Sequence, residues 1–282
     1  MCIRDSVYTQ LYDSWNELTT SGNLTNTDVE AYYAQVQYSF FDNYESNLHL
    51  NDYIDLLAFT SNPDKQISFS DELNNLVADG NLFRGRYTGA FVTSIYGLDI
   101  PVAYFGSGYD NPFTVAHEFG HYMNEIYNKG EYDQSFDLLE MHSQGNEILY
   151  LHYLDGKLTN KGYLLCENYN LLVMLDTIMT SLAVDAFEQA VYTDSYTGTY
   201  SAQIMADGTI TTDEYDRLFQ SILADFGAQD YMMAEYWRYV TITSPCYYVS
   251  YAVSALSVLQ LYPMTEEDYD NAIASYLSLI HI

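Results

Sequence analysis

The chain has 282 residues, with nine lysines and arginines against 39 aspartates and glutamates, which gives a formal net charge of −30. Such a surface repels phosphate backbones and anionic lipid headgroups, so the composition excludes a nucleic-acid-binding protein and argues against a membrane-bound one. No apolar run reaches the ~18 residues that a membrane span needs. Hydrophobic residues make up 48% of the chain, which is enough for a buried core.

The three cysteines, Cys2, Cys166 and Cys246, form neither a disulfide framework nor a metal-binding spacing. The polar segment 1–10 lacks the apolar stretch of a signal peptide. We therefore expect a cytoplasmic protein, and an extracellular one is left open because the chain need not begin at its native start. Residues 1–6 and 277–282 match no pattern in their neighbours, so a single helical domain is predicted over residues 7–276.

The predicted elements include a small amount of β-structure near the middle of the chain. Two β-branched and aromatic runs bounded by glycines lie between residues 89 and 106, and they predict two short strands joined near Gly97. A helix is then predicted to begin near Thr114. The fold class is therefore mainly α, with a β-hairpin or small sheet beside that helix.

Helices dominate the rest of the chain. Apolar residues recur at steps of three and four over residues 163–192 and predict a long helix. A polar stretch, 192–211, is predicted to be a loop, and the next helix begins at Thr212 with Thr211 or Thr212 as its N-cap. The last strong helix follows Pro245 and is expected to end at Pro263, because proline cannot continue a helix.

The sequence His117-Glu118-Phe119-Gly120-His121 is an H-E-x-x-H motif within a predicted helix. A spacing of four places both imidazoles on one helix face, where they can bind one Zn²⁺ at ~2.0–2.1 Å. From its place beside the first histidine, Glu118 can take a proton from a zinc-bound water. Gly120 is expected to leave room beside the metal for a substrate backbone. Apolar flanking residues argue against the alternative, a surface helix with a histidine pair.

A catalytic zinc also needs a third protein ligand and one open position. Glu140 and Glu147 are seven residues apart and share one face of a predicted helix, and Asp137 lies about one turn away. His142 lies on another face, so a packed or solvated histidine is favoured there over a ligand. Spacing alone leaves open which carboxylate binds the metal. One glutamate on the metal and another supporting the ligand shell is the simplest arrangement.

Four blocks in order along residues 80–262 resemble the oligoendopeptidase F and thimet oligopeptidase family of zinc metallopeptidases. The blocks are RYTGAFVT with PVAYF (86–93 and 101–105), FTVAHEFGH (113–121), EMHSQGNE (140–147) and TSPCYYVSYA (243–252). The resemblance implies that Glu140 ligates the zinc and that Glu147 supports the ligand shell. It also implies that the first block runs beside the active site, where Gly89 and Ala90 contact the substrate.

The block at 243–252 is similar to a tyrosine-rich helix start whose hydroxyls point at the scissile carbonyl in the family. Carried over, Tyr248 and Tyr251 hydrogen-bond the developing oxyanion, an effect worth about 2.7–4 kcal/mol for one donor, and Tyr247 contacts the substrate. A spacing of three places Tyr248 and Tyr251 on one helix face, although core aromatic residues would show the same spacing. Residues 239–245 lack the histidine that many relatives carry there.

Together these features predict an endopeptidase with one Zn²⁺ per chain that cleaves internal bonds of short oligopeptides. The family's chains are much longer, so the resemblance implies a catalytic C-terminal half. The net charge favours basic peptides. An exopeptidase on the same fold is one alternative, and its carboxylate clamp would have to be Arg84, Arg86, Arg217 or Arg238. The other alternative is a non-catalytic zinc-binding fragment, which the retention of Glu118 argues against.

Overall fold

The computed structural model describes residues 8–20, 22–43, 48–61, 80–95, 101–127, 135–193 and 211–280. Helices form most of this part of the chain and a small sheet accompanies them, so the predicted mainly α fold is confirmed. In chain order the elements are α1 (Thr9–Thr20), α2 (Asn26–Val36), α3 (Leu48–Ser61), β1 (Leu82–Gly85), β2 (Ala90–Thr93), β3 (Val102–Gly106), α4 (Pro112–Tyr127), α5 (Phe136–Tyr153), α6 (Asn160–Thr193), α7 (Thr212–Phe226), a 3₁₀ turn (Ala234–Tyr236), α8 (Trp237–Thr243), α9 (Tyr248–Val258), α10 (Leu261–Glu267) and α11 (Tyr269–Ile280).

The chain divides into two compact units. The first comprises the residues up to Leu171 together with those from Val258 onward, and the second comprises residues 172–257. The boundaries fall inside α6 and at the end of α9. The expectation of a single catalytic domain over residues 7–276 stays a prediction.

In the first unit α4 packs closely along α5, and Gly120 lies at the contact. A Cβ atom on Gly120 would lie 2.5 Å from the carbonyl oxygen of His142 and 2.8 Å from the Cα atom of Ser143. The expectation that Gly120 leaves room for a substrate is therefore wrong, because α5 fills the space beside it. Asn146 fixes the pair, since its side-chain amide donates to the carbonyl of Ala116 at 2.6 Å.

The core of this unit surrounds the α4–α5 pair. Its largest side chains are aromatic, and the rings of Phe113 and Tyr150 meet edge to face with centroids 5.1 Å apart. Several further residues are at most 2% exposed: Phe40, Leu50, Tyr53, Ile54, Ile148, Leu149 and Leu151. Such burial removes apolar surface from water along both helices, and it stabilises their mutual position.

The sheet lies in the same unit and has the strand order β1-β3-β2. The antiparallel pair β2–β3 is the pair that the sequence predicts, and its predicted connection near Gly97 lies outside the described residues. Strand β1 pairs with β3 in parallel and was not predicted. Its four residues, which include an arginine and end in glycine, show no alternating pattern.

The second unit contains the amphipathic helix α7. Thr211 is its N-cap: the Thr211 hydroxyl accepts from the amide of Glu214, and the Glu214 carboxylate accepts from the amide of Thr211 at 2.7 Å. The buried face of α7, formed by Leu218, Phe219, Ile222 and Leu223, packs against Phe187 of α6. Gly227 ends the helix in the left-handed conformation, with φ 73°. The predicted start and cap of this helix are confirmed.

The end of the chain differs from the prediction. Helix α9 ends at Val258, and Pro263 is the third residue of α10, where the amide hydrogen that proline lacks would have no intrahelical partner. The prediction that Pro263 ends a helix is therefore wrong. Leu277 is 7% exposed and lies within α11, and the expected bounds of the domain stay a prediction.

Helix α6 is long and apolar enough over Asn160–Tyr192 to cross a membrane, by length and composition alone. The core helix of a globular protein passes the same test, and α6 buries Cys166, Ala183 and Phe187. The absence of a membrane partner stays a prediction. The polar loop predicted over residues 192–211 lies largely outside the described residues.

Candidate metal centre

His117, His121 and Glu140 bring three ligand atoms to one place in the first unit. The two histidines lie one turn apart on α4, with ring centroids 5.1 Å apart. On α5, Glu140 has its Oε2 atom 3.8 Å from the Nε2 atom of His117 and 3.8 Å from that of His121. The three atoms lie within 4.8 Å of one another, and the described part of the chain contains no second group of this kind.

This set of donors fits a zinc ion. Two imidazoles and one carboxylate are ligands of catalytic zinc sites, which keep a fourth position open. Ligand atoms at ~2.0–2.1 Å from a tetrahedral metal are about 3.3 Å apart, so the two spacings of 3.8 Å between Glu140 and the histidines need only a slight contraction. Glu140 is 1% exposed, and a carboxylate so deeply buried requires a cation or hydrogen-bond donors. The hydroxyl of Ser143 lies 3.3 Å from its Oε2 atom.

Glu147 contacts His117 on the side away from this group. Its Oε1 atom lies 2.5 Å from Nδ1 of His117, so Nδ1 carries the hydrogen and Nε2 is left for a metal. Burial lowers the pKa of His117, but the hydrogen bond and charge of Glu147, with Glu118 and Glu140, raise it to about 9. The structure thus assigns different places to the two glutamates that spacing leaves open. Asp137 lies in the first turn of α5, outside the group.

The other two histidines near the motif have different surroundings. Burial, followed by the positive charges of His117 and His142, holds the pKa of His121 well below its ordinary value, so His121 is neutral and able to ligate. His142 is fully buried, and its carbonyl accepts a 2.7 Å hydrogen bond from the hydroxyl of Tyr276. A packed histidine, the favoured interpretation of the sequence, fits this burial.

Glu118 lies beside the histidines with one oxygen available. It is 5% exposed, and the backbone amide of Val92 on β2 donates to its carboxylate. Among the described residues, none hydrogen-bonds to its Oε2 atom. Burial first, and then the charges of Glu140 and Glu147, raise the pKa of Glu118 to about 7 against the opposing charge of His117. A carboxyl group with this pKa can both accept and release a proton near neutral pH.

Strand β2 presents its backbone edge next to this carboxylate. The amide of Gly106 donates to the carbonyl of Gly89 at 2.9 Å, so Gly89 directs its backbone groups toward β3. Because these directions alternate along a strand, Ala90 and Val92 direct theirs toward the opposite edge, and the described residues place no further strand there. Of the two residues predicted to contact substrate in this part of the chain, Ala90 therefore offers its amide and carbonyl, whereas the carbonyl of Gly89 is bound within the sheet.

Tyr247, Tyr248 and Tyr251 belong to the second unit and form an aromatic cluster at the start of α9. Their ring centroids are 5.1 Å apart for Tyr247 and Tyr251 and 5.7 Å apart for Tyr248 and Tyr251. Burial, with the charges of Tyr236 and Tyr239, raises the pKa of Tyr248 to about 12, so its hydroxyl remains a donor at neutral pH. The catalytic roles of Tyr248 and Tyr251 and the substrate contact of Tyr247 stay predictions.

Sequence reasoning missed three contributors to the site. The amide of Val92 contacts Glu118, but a backbone contact leaves no signal in the residue type. Ser143 follows Glu140 by three residues, a helical spacing that could have indicated their contact. Asn146, whose amide bridges α5 to α4, lies inside the block that carries the family resemblance, yet nothing in its spacing indicates a partner on another helix.

No protein-family model matches this sequence, and no curated protein matches it either. Solved structures do share its fold. An oligoendopeptidase F crystal structure superposes with a TM-score of 0.59 at 15% identity, over 96% of this chain and 51% of that one. PZ peptidase A with an inhibitor gives 0.58 at 14% identity, over 96% and 51%. An oligoendopeptidase F from Bacillus anthracis gives 0.55 at 13%, over 96% and 52%.

The chain has the oligoendopeptidase F fold. It spans about half the length of the solved structures that it matches. The predicted resemblance is thereby confirmed for the fold, over nearly the whole chain. Identities of 13–15% establish a shared fold and do not by themselves carry an activity.

Proposed function

We propose that this protein is a zinc-dependent endopeptidase that hydrolyses internal bonds of oligopeptides, with one zinc per chain. The observation that carries the proposal is the convergence of His117, His121 and Glu140 beside the buried carboxylate of Glu118. A structural metal site would need no carboxylate with an available oxygen next to the ligands. A hydrolytic site needs that carboxylate, because water must lose a proton as it attacks a peptide carbonyl.

The protein's own residues have distinct tasks in this reaction. His117, His121 and Glu140 would hold the ion, which when bound supplies Lewis acidity and lowers the pKa of water. Glu118 accepts the proton of the attacking water at Oε2 and then gives it to the leaving nitrogen. The amide of Val92 keeps the carboxylate of Glu118 in place during both transfers. Glu147 holds the imidazole of His117 in the required tautomer.

The edge of β2 is the proposed binding site for the substrate backbone. An extended peptide can add to such an edge through main-chain hydrogen bonds. The amide and carbonyl of Ala90 and the carbonyl of Val92 are the groups that face outward. Because Val92 also contacts Glu118, a peptide on this edge would pass beside the general base. Main-chain recognition suits a peptidase that accepts varied sequences.

The oxyanion donors are proposed from the resemblance rather than from the metal centre. Tyr248 and Tyr251 would hydrogen-bond the developing oxyanion, and Tyr247 would contact the substrate. The raised pKa of Tyr248 is compatible with a donor role, because its hydroxyl keeps its hydrogen.

A preference for basic peptides, expected from the net charge of −30, is also part of the proposed function. Equal cleavage of matched acidic and basic peptides at low salt would count against that preference.

Two of the four arginines that could bind a terminal carboxylate in an exopeptidase are engaged in ion pairs. Arg84 forms ion pairs with Asp42 at 3.0 Å and Asp110 at 2.8 Å. Arg238 forms one with Asp216 at 2.6 Å. Guanidinium groups engaged in this way are poorly placed to bind a free peptide carboxylate. The endopeptidase is therefore the better supported of the two.

Metal analysis and product analysis together test the proposal. We expect one zinc per chain in the wild type and in Glu118→Gln, and loss of zinc in Glu140→Ala. Asp137→Ala is the matched control, since it removes a carboxylate one turn earlier on the same helix and should keep both zinc and activity. Glu118→Gln should lower the turnover of a quenched fluorescent oligopeptide by about 10²–10⁴-fold.

Each outcome decides between the functions considered. Cleavage that chelators abolish, with fragments cut inside the peptide, supports the endopeptidase. Release of single terminal residues or dipeptides would show an exopeptidase. Zinc without cleavage would show a non-catalytic zinc protein. Folded protein that binds no zinc would overturn the proposal.

We also propose, without a test in the structure, that the partners are oligopeptides and that the protein is cytoplasmic.

A further inference from the structure

The turn that precedes α9 contains an unusual backbone conformation. Cys246 has φ 59°, and among the described residues it is the one residue other than glycine with a positive φ. A side chain in this region is disfavoured because its Cβ crowds the backbone. The amide of Tyr247 donates to the carbonyl of Ser244 at 3.2 Å, with Pro245 between them. Proline second and positive φ third is the pattern of a type II turn, in which glycine usually takes the third place.

Glu188 on α6 accepts a hydrogen bond from the backbone of this turn. The amide of Cys246 donates to both carboxylate oxygens of Glu188, at 3.0 and 3.1 Å. Glu188 is 3% exposed, and burial raises its pKa while the hydrogen bond from Cys246 lowers it. The described residues place no cation in an ion pair with it. Burying a carboxylate costs free energy, and the hydrogen bonds from the amide of Cys246 offset only part of that cost. This imbalance indicates a role of Glu188 at this turn.

The turn leads directly into the helix that carries the tyrosines. Tyr247 closes the turn, and its carbonyl accepts from the amide of Ser250 at 3.0 Å, which starts the hydrogen bonding of α9. A change at Cys246 would therefore rotate the first turn of α9 and move the hydroxyls of Tyr248 and Tyr251. Hydroxyl donors for an oxyanion act only at well-defined positions, so a small rotation would matter.

We propose that Glu188 is a positioning residue, which holds residues 244–247 in their positive-φ turn through the amide of Cys246 and so sets the direction of the tyrosines on α9. Its catalytic consequence rests on the proposed peptidase function. Its structural part, that Glu188 maintains the turn, does not.

Four variants test the proposal in the full chain. Glu188→Leu removes the acceptor, and Glu188→Gln keeps one acceptor oxygen. Cys246→Gly accepts positive φ without a Cβ, so it should hold the turn without help. The double variant Glu188→Leu with Cys246→Gly asks whether glycine rescues the loss. Ile222→Val is the control, because it trims a fully buried side chain of the same unit and leaves the turn untouched.

Kinetics gives the first measurement. Glu188→Leu should lower kcat about 10- to 100-fold with KM within about twofold, because the tyrosines act in the transition state. Glu188→Gln should lose less, and the double variant should recover most of the loss. Zinc content should be unchanged throughout, and Ile222→Val should keep the wild-type kcat. Equal losses in the single and double variants would show that Glu188 acts through general stability and would overturn the proposal.

Hydrogen exchange at the Cys246 amide gives a second measurement that needs no activity. The amide should be protected in the wild type, and Glu188→Leu should increase its exchange rate by at least about tenfold while other amides of the unit keep theirs. Unchanged exchange would refute the structural part. Faster exchange with unchanged kcat would refute the catalytic part. A wild type without any peptidase activity would refute the proposed function, and the exchange rates would still decide the role of Glu188.

Discussion

Removing the charge of Glu147 while keeping its shape tests how the metal centre is held. Glu147→Gln retains an acceptor oxygen beside Nδ1 of His117, where the wild-type distance is 2.5 Å. Loss of such a supporting carboxylate weakens metal binding about 10- to 100-fold, or ~1.4–2.7 kcal/mol. The short distance, and side chains that are only 20% and 17% exposed, lead us to expect the upper part of that range.

The same contact makes the effect depend on pH. Zinc binds the unprotonated imidazole, and in the metal-free protein the pKa of His117 is about 9, because Glu147 and its neighbours outweigh the effect of burial. Below pH 9 protons therefore compete with zinc, and the apparent Kd of the wild type rises about tenfold per pH unit. In Glu147→Gln that pKa falls, so acidification costs the variant less affinity. The ratio of Kd values, variant over wild type, should be largest near pH 9 and shrink toward pH 7.

Competition with a fluorescent zinc chelator at pH 7, 8 and 9 measures both Kd values. Glu266→Gln is the matched control, because Glu266 pairs with His152 at 3.3 Å and its loss changes the net charge equally. The control should stay within about twofold of the wild type at each pH. A ratio near one at pH 9, or a ratio that does not change between pH 7 and pH 9, would refute the reasoning.

Further predictions follow from contacts elsewhere in the fold. Gly120→Ala should destabilise the protein by about 1–3 kcal/mol and weaken zinc binding, because its Cβ would lie 2.5 Å from the carbonyl of His142; urea unfolding and metal content measure both effects. At pH 7.5 zinc binding should release about one proton, mainly from His117, which calorimetry in buffers of different ionisation enthalpy would detect. Thr211→Ala should cost about 1 kcal/mol through loss of the α7 cap, whereas Thr212→Ala should cost much less in the same unfolding assay.

The part of the candidate metal centre that lies on one helix was predictable from the spacing of its residues. His117 and His121 are one turn apart, so their common face follows from the sequence. Glu140 and Glu147 also share a face, and nothing in their spacing tells which of them meets the histidines. That choice depends on how α5 packs against α4, and the packing depends on close contact at Gly120. In the sequence this contact is visible only as the glycine at position 120, which we interpreted as leaving room for a substrate.

The fold was predictable where a pattern is local. The cap at Thr211 and the apolar face of α7 follow from periodicity, and the β2–β3 pair follows from two apolar runs. Strand β1 could not be found in this way, because its four residues become a strand only by pairing with β3. Pro263 was misleading for a related reason, since proline is compatible with the first turn of a helix as well as with its end.

The carboxylates around the histidines explain why this place could hold a cation. Glu140 and Glu118 are 1% and 5% exposed, and Glu147 lies close enough to raise the pKa of Glu118 together with Glu140. Burial, and then the repulsion of these like charges, raise the pKa of Glu118. Burial lowers the pKa of His117, but the hydrogen bond and charge of Glu147 raise it by more, so the metal-free protein holds protons at this place. A divalent cation would compensate the same charge without those protons and would leave Glu118 ionised, which is the form that a general base needs. The arrangement that strains the metal-free site is therefore also the one that would make Glu118 reactive once the site is filled.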